Sequence, residues 1–194
     1  MVTIKIILGS VRPTRFGVQP ANWLMELSKQ YADRATFELV DLAAVNLPLL
    51  DEPKPASSGE YTKEHTKTWA KIIAPADGFI FVTPEYNHGV APSLKNAIDY
   101  LYAEWNNKPV SFVSYGADAG GSRSIEHLRH SAAWLQMHDL SQHLILPEYY
   151  LNLDEQGNFR FNDHHQKKAE GIFEQLLFWA EEMKASRAKL AAKQ

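Results

Sequence analysis

Apolar residues come in short blocks, separated by stretches in which they recur every three to four positions. Ile4–Leu8, Phe79–Val82 and Val110–Ser114 are nearly continuous apolar runs, the pattern of strands buried on both faces of a parallel sheet. Thr36–Leu42 alternates and predicts a second strand; His143–Leu146 predicts a fifth. Between them the spacing is helical: Val18–Tyr31 (Trp23, Leu24, Leu27), Thr62–Ala74 (Trp69, Ile72, Ile73), Leu94–Trp105 entered through Pro92, and Gly121–Met137 (Ile125, Leu128, Ala132, Leu135). A long final helix is predicted over Asn162–Ala192, with Ile172, Phe173, Leu176, Leu177 and Trp179 as its buried stripe. Five strands alternating with helices imply an α/β protein with one parallel sheet covered on both faces. Right-handed crossovers leave 2-1-3-4-5 as the simplest strand order. That order puts the switch point between strands one and three, where ligands bind at the carboxyl edge. No boundary or repeat divides the chain, so residues 1–194 are expected to form one domain. Lys184–Gln194, charged and alanine-rich, reads as a solvated helix end.

Composition narrows the chemistry. The chain has 194 residues, 45% of them hydrophobic, which suits a soluble core. It has no cysteine, which excludes disulfides, thiolate nucleophiles and iron–sulfur clusters. A formal charge of −3 implies neither nucleic acid nor an anionic membrane as partner. The N-terminus runs directly into a strand and no run approaches a membrane span, so a cytoplasmic location is expected. Asn46–Gly59 holds three prolines, two serines and a glycine, an irregular excursion of the kind that serves as lid or partner surface.

The candidate chemistry lies in three loops, each following a strand. Thr83–Gly89 carries one proline, one glycine and five side chains able to hydrogen-bond, with the Tyr86 ring among them. It suits a planar ligand with polar edges; the alternative is a turn that only caps the next helix. Gly9–Gly17 joins strand one to a helix N-terminus, where backbone N–H groups favour an anion. Ser10 and Thr14 add hydroxyls, and Arg12 and Arg15 add forked donors, so a phosphate is inferred. The loop is neither a Walker A motif nor a Gly-x-Gly-x-x-Gly fingerprint, which favours a phosphate monoester over a pyrophosphate. Ser114–Arg123 holds three glycines that permit close approach of the backbone, a signal whose value is its position on the same edge. His88 is either a substrate contact or a polar filler. The remaining histidines lack a metal-ligand spacing, and no metal site is expected.

Gly-Ser-Val-Arg-Pro-Thr-Arg, Thr-Pro-Glu-Tyr-Asn-His-Gly with Pro-Ser-Leu-Lys-Asn-Ala-Ile-Asp, and Ser-Tyr-Gly with Gly-Gly-Ser-Arg together resemble the NADPH-dependent FMN reductase family over about residues 2–150. The resemblance implies a flavodoxin-like three-layer sandwich with a five-stranded parallel sheet in order 2-1-3-4-5. It implies FMN as cofactor and NADPH as hydride donor, with NADH as an alternative. Ser10, Arg12 and Arg15, with Thr14 or Gln19 beside them, would hold the phosphate. Pro84, Glu85, Tyr86 and Asn87 would line the isoalloxazine. Ser114, Tyr115, Gly116, Gly120 and Gly121 would border its pyrimidine edge. Many members have serine and asparagine where this chain has Arg15 and Gly17.

The cofactor carries the reactivity in such enzymes, so no catalytic acid or base is demanded. A ping-pong oxidoreductase is the expected function, with a quinone, azo compound, free flavin or metal oxyanion as small-molecule acceptor. A one-electron carrier usually presents a strongly acidic face, and 23 acidic against 20 basic residues speak against it. A non-enzymatic flavin-binding regulator is the other alternative. The resemblance further implies a homodimer, with a homotetramer as the variant. Trp105, Trp134 and Trp179 fit helical packing stripes; the alternative for those on helices three and four is contact with a partner subunit, which the apolar Leu47–Asp51 would also suit.

Overall fold

The structure is a computed structural model that describes residues 1–192. Five strands pair in parallel: β1 (Val2–Leu8), β2 (Ala35–Asp41), β3 (Gly78–Tyr86), β5 (Pro109–Tyr115) and β6 (His138–Leu146). Their spatial order is β2-β1-β3-β5-β6, and the short β4 (Gly89–Val90) pairs antiparallel with the end of β3. Counting only the parallel strands, this is the expected order 2-1-3-4-5. The fold is flavodoxin-like.

The period of two in the strands divides the core into two layers. Ile4, Ile6 and Leu8 of β1 and Ile80 and Val82 of β3 face α1 (Val18–Ser28) and α6 (Asp163–Ala191). Ile7, Phe79, Phe81 and Phe112 face α3 (Glu64–Ile73), α4 (Pro92–Asp99) and α5 (Ser122–Trp134). A four-residue helix, α2 (Leu42–Val45), follows β2 directly and is capped by the Asp41 carboxylate accepting from Ala43 N.

Three boundaries depart from the periodicity. The helix expected to reach Trp105 ends at Asp99. Tyr100 and Trp105 are nonetheless fully buried, because the chain turns and the Trp105 indole donates to Ile98 O at 3.1 Å, folding back over the helix end. The last strand starts at His138, five residues before its apolar run. As the edge strand it is covered less evenly, and its register shifts opposite Val110 and Phe112. The final helix holds its predicted span, with Asn162 and His165 forming a reciprocal cap. Its last turns are solvated as expected, with only Arg187 half-buried among residues 184–192, yet Lys184 and Arg187 are held in place; Lys193 and Gln194 lie outside the described residues.

Asp77 is the reason. Its carboxylate is 5% exposed and accepts from Thr3 N at 3.0 Å, Lys184 Nζ at 2.8 Å and Arg187 Nη2 at 2.5 Å. One buried side chain thus ties β1, the entry to β3 and the last turns of α6. Asp77→Ala leaves two cations and an amide without their acceptor. It is expected to lower stability by about 3 kcal/mol, seen as a lower urea midpoint at unchanged slope.

Lys108 is buried nearby, its stem against the Phe79 ring and its ammonium donating to Ala74 O at 2.9 Å, at the end of α3. Burial, with the charge of Arg187 adding to it, lowers its pKa to about 8 from an ordinary 10.5. Between those two values the unfolded chain keeps a proton that the folded chain has released. Wild type should therefore gain stability relative to Lys108→Met as pH rises from 8 to 10.5. Urea titrations of both proteins at pH 7, 9 and 10.5 check this; a constant difference would contradict it.

Candidate functional site

The carboxyl edge of the sheet brings the three predicted loops together. Gly9 N donates to Val82 O at 2.8 Å, and Ser93 Oγ donates to Gly9 O at 2.5 Å, so the first loop is fastened to β3 and α4. A Cβ on Gly9 would stand 3.1 Å from Leu94 Cβ and from Val82 O, which explains the glycine there. Ser10 is fully buried, and its hydroxyl shares a hydrogen bond with Tyr86 Oη at 2.8 Å. The anion loop and the ring loop are therefore joined by one polar contact.

Beyond Ser10 the chain passes through Pro13 to Thr14, whose φ is +53°. Proline fixes φ on the negative side, and a negative φ followed by a positive one favours converging N–H groups, here those of Thr14 and Arg15 because proline has none, an arrangement suited to an anion. Among the described residues the amides of Val11, Thr14, Arg15 and Phe16 have no acceptor within the chain. The Arg12 side chain is exposed and its guanidinium lies 5.8 Å from the centre of the Tyr86 ring. Arg15 is different: Nη2 is held by Asp41 at 2.5 Å, while its buried Nε has no partner. Gln19 turns elsewhere, donating to Gly157 O at 2.9 Å and accepting from Phe159 N at 2.6 Å, so its amide fastens α1 to the 154–159 hairpin.

The segment read as one loop, Thr83–Gly89, is largely strand. β3 continues through Tyr86, and only Asn87 and His88 form the turn into β4, with φ of +49° and +65°. Two left-handed residues between antiparallel strands are the geometry of the tight hairpin whose twist matches its flanks. Pro84 is buried, Tyr86 half-buried, and Asn87 and His88 exposed at the tip. The Glu85 carboxylate points into the protein: Oε1 accepts from Arg123 Nη1 at 2.8 Å and Oε2 from Arg123 N at 3.1 Å.

In the third loop Ser114 Oγ donates to Gly120 O at 2.8 Å, closing the turn that starts α5. Gly120 and Gly121 have φ of +57° and +90°, and Gly116 lies against Gly121. Tyr115 is buried among Phe16 and Tyr149, and its Oη has no partner. Burial pushes its phenol pKa up, so it stays protonated. Arg123, the last residue of the third loop and of its Gly-Gly-Ser-Arg motif, has no role assigned from the sequence. The signal was present: an arginine in the first turn of a helix opposes the helix dipole unless a carboxylate meets it.

The edge thus offers free amides and the Arg12 cation on one side and a hairpin beside a glycine turn on the other. The unpartnered Arg15 Nε and Tyr115 Oη lie beside the first loop. This suits a ligand with an anionic end and a flat, polar-edged body. A groove of about 850 Å³ between β2 and α3 is bordered by Val40, Trp69 and Ile72 and lined also by the paired Lys5 and Glu38; it contains none of the residues of the three loops. The model of the NADPH-dependent FMN reductases matches residues 2–150, which include all three loops. The chain belongs to that family.

It is 46% identical over 136 residues to an NAD(P)H-dependent FMN reductase of Schizosaccharomyces pombe, covering 69% of this chain and 67% of the relative. An NADPH:quinone oxidoreductase of Arabidopsis thaliana is 30% identical over 155 residues, covering 78% and 75%. Among solved structures, the flavoenzyme FerB of Paracoccus denitrificans superposes with a TM-score of 0.71 at 20% identity, covering 94% of this chain and 99% of that one. As a member of that family the protein is an oxidoreductase that works with FMN and NAD(P)H. Among the described residues no helix is long and apolar enough to cross a membrane.

Proposed function

We propose that this FMN reductase takes its two electrons from NADPH, or from NADH, and passes them by a ping-pong mechanism to a small acceptor such as a quinone or azo compound. The reading rests on the junction of the two ligand loops, where Ser10 and Tyr86 share a hydrogen bond at the switch point of the sheet. The donor set fits FMN in kind. Arg12, Ser10, Thr14 and the free amides of the first loop would hold the phosphate, with Arg15 fixed beside them by Asp41. Pro84, Tyr86 and Asn87 would line the ring on one side and Ser114, Tyr115, Gly116, Gly120 and Gly121 on the other. Bound FMN supplies the hydride chemistry, and the protein supplies binding, orientation and a fixed field. The Gly116 and Gly120 N–H groups already donate to Leu146 O and Ala117 O, so the glycine turn, shaped by the Ser114–Gly120 bond, would contribute close approach of its backbone to the ring edge. Arg12 stands at the mouth of the site, where it can also meet the phosphate of a nicotinamide nucleotide.

All of residues 1–194 serve as one FMN-binding domain in this reading, working in the cytoplasm as a homodimer. Trp134 is 79% exposed beside a groove between α4 and α5, and Leu49 is 83% exposed on the excursion that Asn96 and Tyr100 fasten to α4. Trp134→Glu should shift a sedimenting dimer toward monomer; a monomeric wild type would dispose of the dimer.

The absorbance spectrum of the protein with added FMN, then anaerobic NADPH, then a quinone, tests the activity. Yellow flavin that stays with the protein, bleaches and recolours is expected. Protein that retains no flavin at excess FMN would overturn the reading, and stable flavin without NADPH turnover would favour a regulator.

A further inference from the structure

We propose that Arg123 is a positioning residue of the flavin site, and that through Glu85 it sets the reduction potential of the bound FMN. The inference rests on the FMN-dependent reading above. Glu85 stands between the two ring loops. It pairs across the hairpin with Val90, and a Cβ on Gly116 of the third loop would be 3.7 Å from its own Cβ. Its side chain is 9% exposed, too little for water to neutralise a carboxylate. Arg123 does so instead, meeting Oε1 with its guanidinium and Oε2 with its backbone N–H.

Helix stability does not account for an arginine in this place. A cation in the first turn of α5 opposes the helix dipole, and that turn holds no acidic residue of its own. The Arg123 side chain is 40% exposed, so it fills no essential core volume. What it does is bind the hairpin to the glycine turn and cancel a negative charge beside the ring. Reduction adds negative charge to that ring. An uncompensated Glu85 would oppose it, and an uncompensated Arg123 would favour it.

The two members of the pair therefore have opposite signs in a measurement of potential. Arg123→Gln keeps the backbone N–H, and Glu85→Gln keeps an acceptor for it, so both variants retain the loop connection. Dissociation constants for oxidised FMN would be measured by titration of apoprotein, and midpoint potentials under anaerobic conditions, for wild type, both single variants, the double variant and Arg123→Lys. Arg123→Gln should weaken binding of reduced relative to oxidised FMN about tenfold, a fall of about 30 mV for a two-electron couple. Glu85→Gln should raise the potential by a similar amount. The double variant should return toward wild type, and Arg123→Lys should keep the wild-type value. Single variants that shift the potential in the same direction, or leave it unmoved while FMN still binds, overturn this inference alone. A wild type that binds no FMN overturns both it and the proposed function.

Discussion

Gly121→Ala is expected to cost about 4 kcal/mol of stability and to abolish FMN binding. Two separate effects add. The backbone at residue 121 has φ of +90°, which only glycine adopts freely; holding a side chain there costs about 1–3 kcal/mol. The new Cβ would also stand 2.7 Å from Ser114 Cβ and 3.0 Å from Tyr115 N, where β5 ends. Overpacking against a strand costs a further 1–3 kcal/mol or so. The turn cannot yield without breaking the Ser114–Gly120 hydrogen bond that shapes the glycine loop. Gly59 provides the control: its φ is +67°, yet an added Cβ meets nothing within 4 Å. Gly59→Ala should cost only about 1 kcal/mol, the backbone contribution alone. Urea midpoints and FMN titration of both variants read the difference; equal losses in the two would refute the packing argument.

The layers of this fold were legible because burial on both faces writes itself into the strands as unbroken apolar runs. Ile4–Leu8, Phe79–Val82 and Val110–Ser114 each fall inside an observed strand. Periodicity failed where tertiary contact replaced it. Trp105 keeps helical spacing from Ile98 but is buried by a turn. The polar half of β6 pairs although nothing in its composition calls for a strand, because Pro109 and Val110 present a parallel edge to it. In the site, residue types pointed to the three loops and their edge. They did not show which polar side chains face one another within the chain. Gln19 and Glu85 both have capable side chains in suggestive places, and both are engaged internally, by the 154–159 hairpin and by Arg123. Such pairings join residues 38 and 140 positions apart, beyond the reach of any local pattern.

Arg12→Ala should weaken FMN binding by roughly 10- to 100-fold, the span of one lost hydrogen bond to a charged group. Folding should hardly notice, because Arg12 is exposed and its side chain forms no ion pair among the described residues. Arg15 offers the contrast. Its guanidinium is anchored on Asp41, the residue that also caps α2, so Arg15→Ala should lower thermal stability as well as affinity. Riboflavin separates the two ways in which Arg12 can act. It carries the same ring as FMN but no phosphate. A phosphate contact predicts that Arg12→Ala leaves riboflavin affinity unchanged while FMN affinity falls toward it. The Arg12 guanidinium also lies over the Tyr86 ring, on the hairpin assigned to the isoalloxazine. Were that contact the important one, both flavins would weaken together, and Tyr86→Leu would reproduce the loss. The free amides around Thr14 and the exposed position of Arg12 favour the first outcome, because an unpaired cation beside unpaired N–H donors is arranged for an anion and not for a neutral ring.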